Sequence, residues 1–315
     1  MAESKVLTRD LRETFKGLGE PNRVVLETSA EAFTVARWAK EAGHDVRVVR
    51  STLAKQLGVG DRGVKTDLKD ARVLSKVSCA LELESVHVPS TGGSELKALC
   101  TSRAALVRSR TLLINSVRGY LRTQVLRVPS GKSATFPKRI RQLLEARPEG
   151  MPVHIDRQLK GIETLTTQIE ECNRELEGIA EKDTTCVRLM SAPGVGPVTA
   201  VLFRATVDEV KRFQGAHRLA SYLGLTPGES SSGEIERKLG ITRAGSSRLR
   251  TVLVQAAWSA WRSRPNDPMV RWANRIALRR NKQVAIVALA RKLAGILFAL
   301  WRDETMYTPA PSRTH

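Results

Sequence analysis

The sequence predicts an α/β region followed by an all-α remainder. Short apolar runs alternate with helical periodicity up to about Pro89, whereas beyond Ser94 the apolar residues recur at helical and heptad spacing as far as Arg302. The breaker Thr91-Gly92-Gly93 separates the two regimes. In the first region Arg23-Val24-Val25-Leu26-Glu27 suits a buried strand, Glu31 to Ala42 has helical periodicity and Gly43 stops that helix. Asp45-Val46-Arg47-Val48-Val49 reads as a second strand, and a helix starts near Thr66, a plausible cap. Ser85-Val86-His87-Val88-Pro89 reads as a third strand. Three strands are few for a stable sheet.

In the long helix from Ser94, Leu99, Leu106, Leu113 and Tyr120 recur every seven residues, as do Cys100, Val107, Ile114 and Leu121. A second helix from about Ile155 repeats the spacing with Ile155, Ile162, Ile169 and Leu176. Two such helices joined at Val128-Pro129-Ser130-Gly131-Lys132 predict a coiled-coil hairpin, within one chain or between chains. The third region opens with Ala192-Pro193-Gly194-Val195-Gly196-Pro197. It continues with a helical stretch Phe213 to Leu223, a loop from Thr226 to about Gly240, and helices over Ser247–Arg262, Pro268–Arg280 and Gln283–Arg302. The resulting divisions are 1–90, 91–184 and 185–304, with a tail at 305–315.

Charge narrows the partners. The 315 residues carry 52 Lys and Arg against 32 Asp and Glu, a net charge of +20. So basic a surface attracts polyanions, and nucleic acid leads. Between Lys97 and Arg147 there are twelve Lys or Arg and one acid, Glu145; from Glu236 to Arg302 there are fifteen and two. A membrane is the rival polyanion, but the most apolar stretch, Val284 to Trp301, is interrupted by Arg291 and Lys292, and no membrane partner is expected. The first residues lack the apolar segment of a signal peptide. Cys79, Cys100, Cys172 and Cys186 are scattered without Cys-x-x-Cys spacing, as expected of buried free thiols in a reducing cytoplasm. Trp258, Trp261, Trp272 and Trp301 sit among Ala, Val and Leu and read as core anchors.

Three constellations carry possible chemistry. Asp67 and Asp70 are three apart, so a helix sets both carboxylates on one face, either paired with nearby Lys and Arg or acting as half of a divalent-metal site. Glu27 ends an apolar strand, where α/β folds bind ligands, and with the two aspartates completes the oxygen-only donor set that Mg²⁺ prefers. Gly194 and Gly196 form a Gly-x-Gly turn before a helix, suited either to a DNA phosphate or simply to a tight turn. The loop Gly228-Glu229-Ser230-Ser231-Ser232-Gly233-Glu234 is either a polar linker or the carrier of a serine set among cations, which include Arg237, Lys238, Arg243, Arg248 and Arg250. None of the five histidines lies near it in sequence, which argues against a Ser-His-Asp hydrolase.

These motifs, in this order, resemble the DEDD-type transposases of the insertion-sequence-110 family, related to the Piv invertases. Val24-Val25-Leu26-Glu27 and Lys65-Thr66-Asp67-Leu68-Lys69-Asp70-Ala71-Arg72-Val73-Leu74 match the second to fourth acids of the DEDD set. Ala192 to Pro197 and Leu219-Ala220-Ser221-Tyr222-Leu223-Gly224 match the C-terminal transposase domain. Ser231-Ser232-Gly233 with Gly240-Ile241-Thr242-Arg243-Ala244-Gly245 and Leu249-Arg250 matches the nucleophile loop.

The resemblance implies a partial RuvC-like, RNase H-type N-terminal domain holding Mg²⁺ through Glu27, Asp67 and Asp70. It further implies a coiled-coil dimerisation element and a C-terminal helical domain whose Ser232, or the adjacent Ser231, attacks DNA. It implies a bridge RNA as guide, a homo-oligomer (dimer or tetramer) with a shared active site, and a bacterial cytoplasmic location. The sequence departs from the family where the first Asp should end an opening strand. Ser4 to Arg12 has helical spacing, Asp10 is a poor substitute, and a truncated reading frame with an incomplete metal site is expected. Glu234 and Glu236 also stand where the family tends to carry Gly and Lys. The alternatives to a DNA recombinase are a catalytically inactive remnant that oligomerises and binds nucleic acid, and a coiled-coil scaffold.

Overall fold

The computed structural model describes residues 5–56, 67–145, 147–148, 150–232 and 235–309; of 54–56, 67, 229–232 and 235–239 it describes the backbone alone. The chain forms two compact units, Met1–Ser90 and Thr91–His315.

In the first unit, α1 (Leu11–Gly17) precedes a βαβ unit made of β1 (Arg23–Glu27), α2 (Ala32–Glu41) and β2 (Asp45–Val49). The strands are parallel, with Arg23 opposite Asp45 and Glu27 opposite Val49. Ala32, Val35, Ala36 and Ala39 follow helical spacing on α2, and they bury against Val46, Val48 and Phe15. His44 is a satisfied core residue: its Nδ1 accepts from the Asn22 N–H at 3.1 Å, and its Nε2 meets the Phe15 carbonyl at 2.9 Å. After α3 (Ser51–Gln56), helix α4 runs from Asp67 to Ala80. The cap position Thr66 lies outside the described residues.

The expected third strand is corrected. Ser85–Pro89 forms no strand but runs beside β2, where the Val86 N–H donates to the Val48 carbonyl at 2.8 Å. The Val48 N–H is taken by the Ser85 hydroxyl instead. A side chain occupying that donor takes it out of any strand ladder. Asp10 lies in a turn of 3₁₀ helix before α1, outside the sheet, beside Arg9.

The second unit is mostly helical. Helices α5 (Thr91–Thr123) and α7 (Val153–Lys182) form an antiparallel hairpin within the chain: Arg103 bonds Asn173 and Arg110 bonds Thr166. Ile155, Ile162, Ile169 and Leu176 are all buried, as their heptad spacing requires. The hairpin tip carries a helix without a sequence counterpart above, α6 (Phe136–Glu145). Its Phe136, Ile140 and Leu144 close a small core with Val117, Leu121 and Leu159.

The C-terminal part continues with α8 (Thr184–Met190), α9 (Pro197–Val207), α10 (Ala216–Tyr222), strands β3 (Pro227–Ser232) and β4 (Ile235–Ile241), and helices α11 (Ser247–Ser263), α12 (Pro268–Arg279) and α13 (Lys282–Arg302). The expected loop from Thr226 to Gly240 is therefore an antiparallel hairpin. Helix α13 is also long and apolar enough to cross a membrane, contrary to the reading of Val284–Trp301, but it forms the centre of the main core. Ile286, Leu289, Leu293 and Leu297 are buried there. The tryptophans pack partly buried at its edge, Trp272 beneath Lys292 and Trp301 beneath Arg204. Of the thiols, Cys100 and Cys186 are buried, Cys172 is half-buried and Cys79 is exposed, which corrects the expectation that all four are buried.

Candidate active site

The carboxylates belong to the first unit. Helix α4 packs on β1 in the opposite direction: Arg23 Nη1 donates to the Ser78 carbonyl at 3.0 Å, and Leu74 packs on Val25. Four helical residues and two strand residues both advance about 6 Å. Continuing that register from Leu74 and Val25 brings Asp70 level with Glu27, at the carboxyl end of β1. Asp67 is one turn nearer the helix start, and its side chain is outside the described atoms.

Neither Glu27 nor Asp70 meets a Lys or Arg among the described residues. The acids of this unit that serve structure are paired: Asp45 accepts from Arg23 at 3.1 Å, and Glu82 from Arg47 at 3.0 Å. Two half-buried carboxylates without a cation suit a divalent metal and fit an oxygen donor set. Among the described residues no group of three or more His, Cys, Asp or Glu is close enough to hold an ion.

The serines belong to the second unit. Ser232 pairs with Ile235 and is the last residue of β3; Ser231 pairs with Glu236 and Ser230 with Arg237. The hairpin base is clasped tightly. Thr242 N–H donates to the Thr226 carbonyl at 2.9 Å, and Arg243 N–H to the Gly224 carbonyl at 3.1 Å. Gly224 and Gly245 both have positive φ, and a β-carbon on Gly224 would stand 2.1 Å from the Ala244 carbonyl oxygen. Only glycine permits that approach.

The basic candidates divide. Arg250 is turned inward, and its Nη1 donates to the Leu223, Ala244 and Gly245 carbonyls at 3.1, 2.5 and 3.3 Å. Arg248 donates to the Thr101 hydroxyl on α5. Both hold the fold around the hairpin. Arg243 is exposed at φ +57°. The side chains of Arg237 and Lys238 lie outside the described atoms, and their backbones are in β4.

Gly194 has positive φ, and an added β-carbon would lie 2.2 Å from the Ala256 carbonyl oxygen. Close packing against α11 thus accounts for this glycine without a phosphate. Gly196 is the N-cap of α9, with Pro197 at its first position. The loop rims an open cleft of about 620 Å³ together with Ser259, Ser263, Arg264 and Tyr307.

Two features escaped sequence reasoning. The C-terminal segment straps back, the Tyr307 hydroxyl donating to Asp267 at 3.0 Å and its N–H to the Ser191 hydroxyl at 2.8 Å. Arg212 lies over Phe213 and Tyr222, at 4.2 and 4.5 Å from the ring centroids. Neither contact leaves a periodic signal; Arg212-Phe213 beside a later Tyr is the one faint cue.

Residues 2–125 match the family DEDD_Tnp_IS110, described as a transposase, and residues 186–270 match the family described as "Transposase IS116/IS110/IS902 family". The chain is 31% identical to the "Probable family 20 transposase" of Pseudomonas aeruginosa over 95% of its own length and 89% of that protein. It is 31% identical to the "Transposase for insertion sequence element IS1111A" of Coxiella burnetii over 77% and 68% of the two chains. The corresponding figure is 26% over 91% and 86% for the "Transposase for insertion sequence element IS1328" of Yersinia enterocolitica. An N-terminal DEDD nuclease domain and a helical C-terminal transposase domain, together with these relatives, establish that the chain belongs to the IS110/IS116/IS902 family of transposases, which are DNA-cutting enzymes.

Proposed function

We propose that this transposase cuts and rejoins DNA through the hydroxyl of Ser232, with Glu27, Asp67 and Asp70 holding Mg²⁺. The observation that carries the reading is the hairpin. Ser232 pairs with Ile235 at the end of β3, and the base of these two strands is closed by Gly224, Gly245 and Arg250. In the cutting step the Ser232 Oγ–P bond forms while the P–O bond to the leaving deoxyribose oxygen breaks. The proton lost by the hydroxyl balances the one that oxygen takes up. Rejoining runs the exchange in reverse with a new deoxyribose hydroxyl, which frees the serine. Bound Mg²⁺ supplies positive charge to the phosphodiester oxygens as they gain negative charge. Glu27 and Asp70, which meet no Lys or Arg among the described residues, are the side chains suited to keep it at the strand end.

A bridge RNA guide, a dimeric or tetrameric assembly and a bacterial cytoplasmic location belong to the same proposal. The net charge of +20, and the twelve Lys or Arg against one acid between Lys97 and Arg147, suit a nucleic-acid guide. The divisions 1–90, 91–184, 185–304 and 305–315 are proposed as the metal domain, hairpin, serine domain and tail. Ser232→Ala is expected to abolish covalent protein–DNA adducts on denaturing gels while DNA binding persists. An adduct that survives both Ser232→Ala and Ser231→Ala overturns the serine assignment.

A further inference from the structure

We propose that the outer face of α12 is a docking surface for duplex DNA, formed by Arg271, Arg275 and Arg279 around Leu278. The inner face of this helix is fixed, because Met269, Val270 and Ala273 are buried in the main core. The three arginines recur every four residues on the opposite side, and all are exposed. None meets a carboxylate among the described residues. The one acid between residues 237 and 302, Asp267, is already used: it accepts from the Met269 N–H at 2.9 Å and from the Tyr307 hydroxyl.

Like charges four apart on a helix repel each other, so a merely soluble face is normally interleaved with Glu. This one is not. Successive arginines advance about 6 Å along the axis, which is comparable to the separation of neighbouring phosphates on a strand. Leu278, 88% exposed, stands among them. An apolar side chain between guanidiniums suits a groove in which it meets thymine methyls or sugars while the arginines take phosphates or guanine edges. The major groove of B-form DNA admits a helix, whereas that of A-form RNA is too deep and narrow. The surface rests on the family's DNA chemistry and not on Ser232, because binding is read without cleavage.

The test uses the full chain and a fluorescein-labelled DNA duplex, followed by anisotropy across a salt series. Changing Arg271, Arg275 and Arg279 together to Ala should flatten the log–log salt slope by about 2–3, at roughly 0.9 per lost phosphate contact, and weaken binding at least about tenfold. The Arg→Lys triple should keep the slope. The control triple Arg9→Ala, Lys16→Ala, Lys40→Ala, which removes equal charge, should keep it too. If the alanine triple does not fold, the Arg→Gln triple keeps the stems and carries the same expectation. An unchanged slope in the neutral triple overturns the proposal, as does an equal loss in the control. So does a loss confined to single-stranded RNA or phosphatidylserine vesicles with duplex binding intact.

Discussion

Gly245 lies so close to Tyr222 that a β-carbon on it would stand 2.0 Å from the Tyr222 carbonyl oxygen, and its φ is +71°. The serine hairpin is pinned to the end of α10 by that contact. Gly245→Ala is therefore predicted to cost about 2–4 kcal/mol, combining left-handed strain with a forced backbone shift. Thermal unfolding should fall by roughly 5–10 °C. Gly240, in open space with ordinary φ, is the control, and Gly240→Ala should leave the melting temperature nearly unchanged.

Arg250 satisfies three carbonyls at the same junction. Arg250→Met should destabilise the protein by about 1.5–3 kcal/mol, the scale of hydrogen bonds from a charged donor. Arg250→Lys should recover only part of this, because an ammonium lacks the planar fork. Urea titrations give the ordering: wild type, then Lys, then Met. Equal stability of all three would remove Arg250 from the clasp.

The four thiols should separate in a disulfide-exchange reagent at neutral pH. Burial pushes the Cys100 thiol up to about 11. Burial, and then the neighbouring Asp183 carboxylate, push Cys186 up to about 12. Neither forms thiolate at pH 7 in the folded chain. Exposed Cys79 should react first and half-buried Cys172 more slowly, with Cys100 and Cys186 reacting only on unfolding. Rapid loss of four thiols from the folded protein would contradict this core.

Tyr307 ties the C-terminal strap to Asp267, and burial followed by that carboxylate raises its pKa. A hydroxyl whose folded pKa lies above the unfolded value of about 10 contributes stability fully below pH 10. That stability is lost as pH rises toward the folded pKa. Tyr307→Phe should cost about 1 kcal/mol near neutrality and fall off less steeply than wild type above pH 10. Parallel alkaline melting curves would show that the strap is not held this way.

Helix periodicity was legible wherever one face is buried, as in the Ile155–Leu176 heptads and the three last helices. The serine hairpin was not. Gly228-Glu229-Ser230-Ser231-Ser232 has no apolar alternation, and the strands pair because Gly224, Gly245 and Arg250 close their base from outside the segment. The third strand of the first unit failed for a side-chain reason, the Ser85 hydroxyl taking the Val48 N–H. Among the carboxylates, Glu27 and Asp70 were readable from the strand end and the helix start. Their common level needed the Arg23–Ser78 contact, which no spacing in the sequence announces. Arg248 and Arg250 looked like phosphate ligands because charge is visible in a sequence, whereas their inward bonds are not.

The central claim is that Ser232 joins covalently to DNA. Its most direct measurement is mass spectrometry of the proteolysed adduct, trapped by the full chain on its own element's DNA with added guide RNA and Mg²⁺. The account predicts a nucleotide phosphate on Ser232 and none on Ser230 or Ser231. A nucleotide mapped to any other residue, or strand exchange proceeding with Ser232 unmodified throughout, would contradict it.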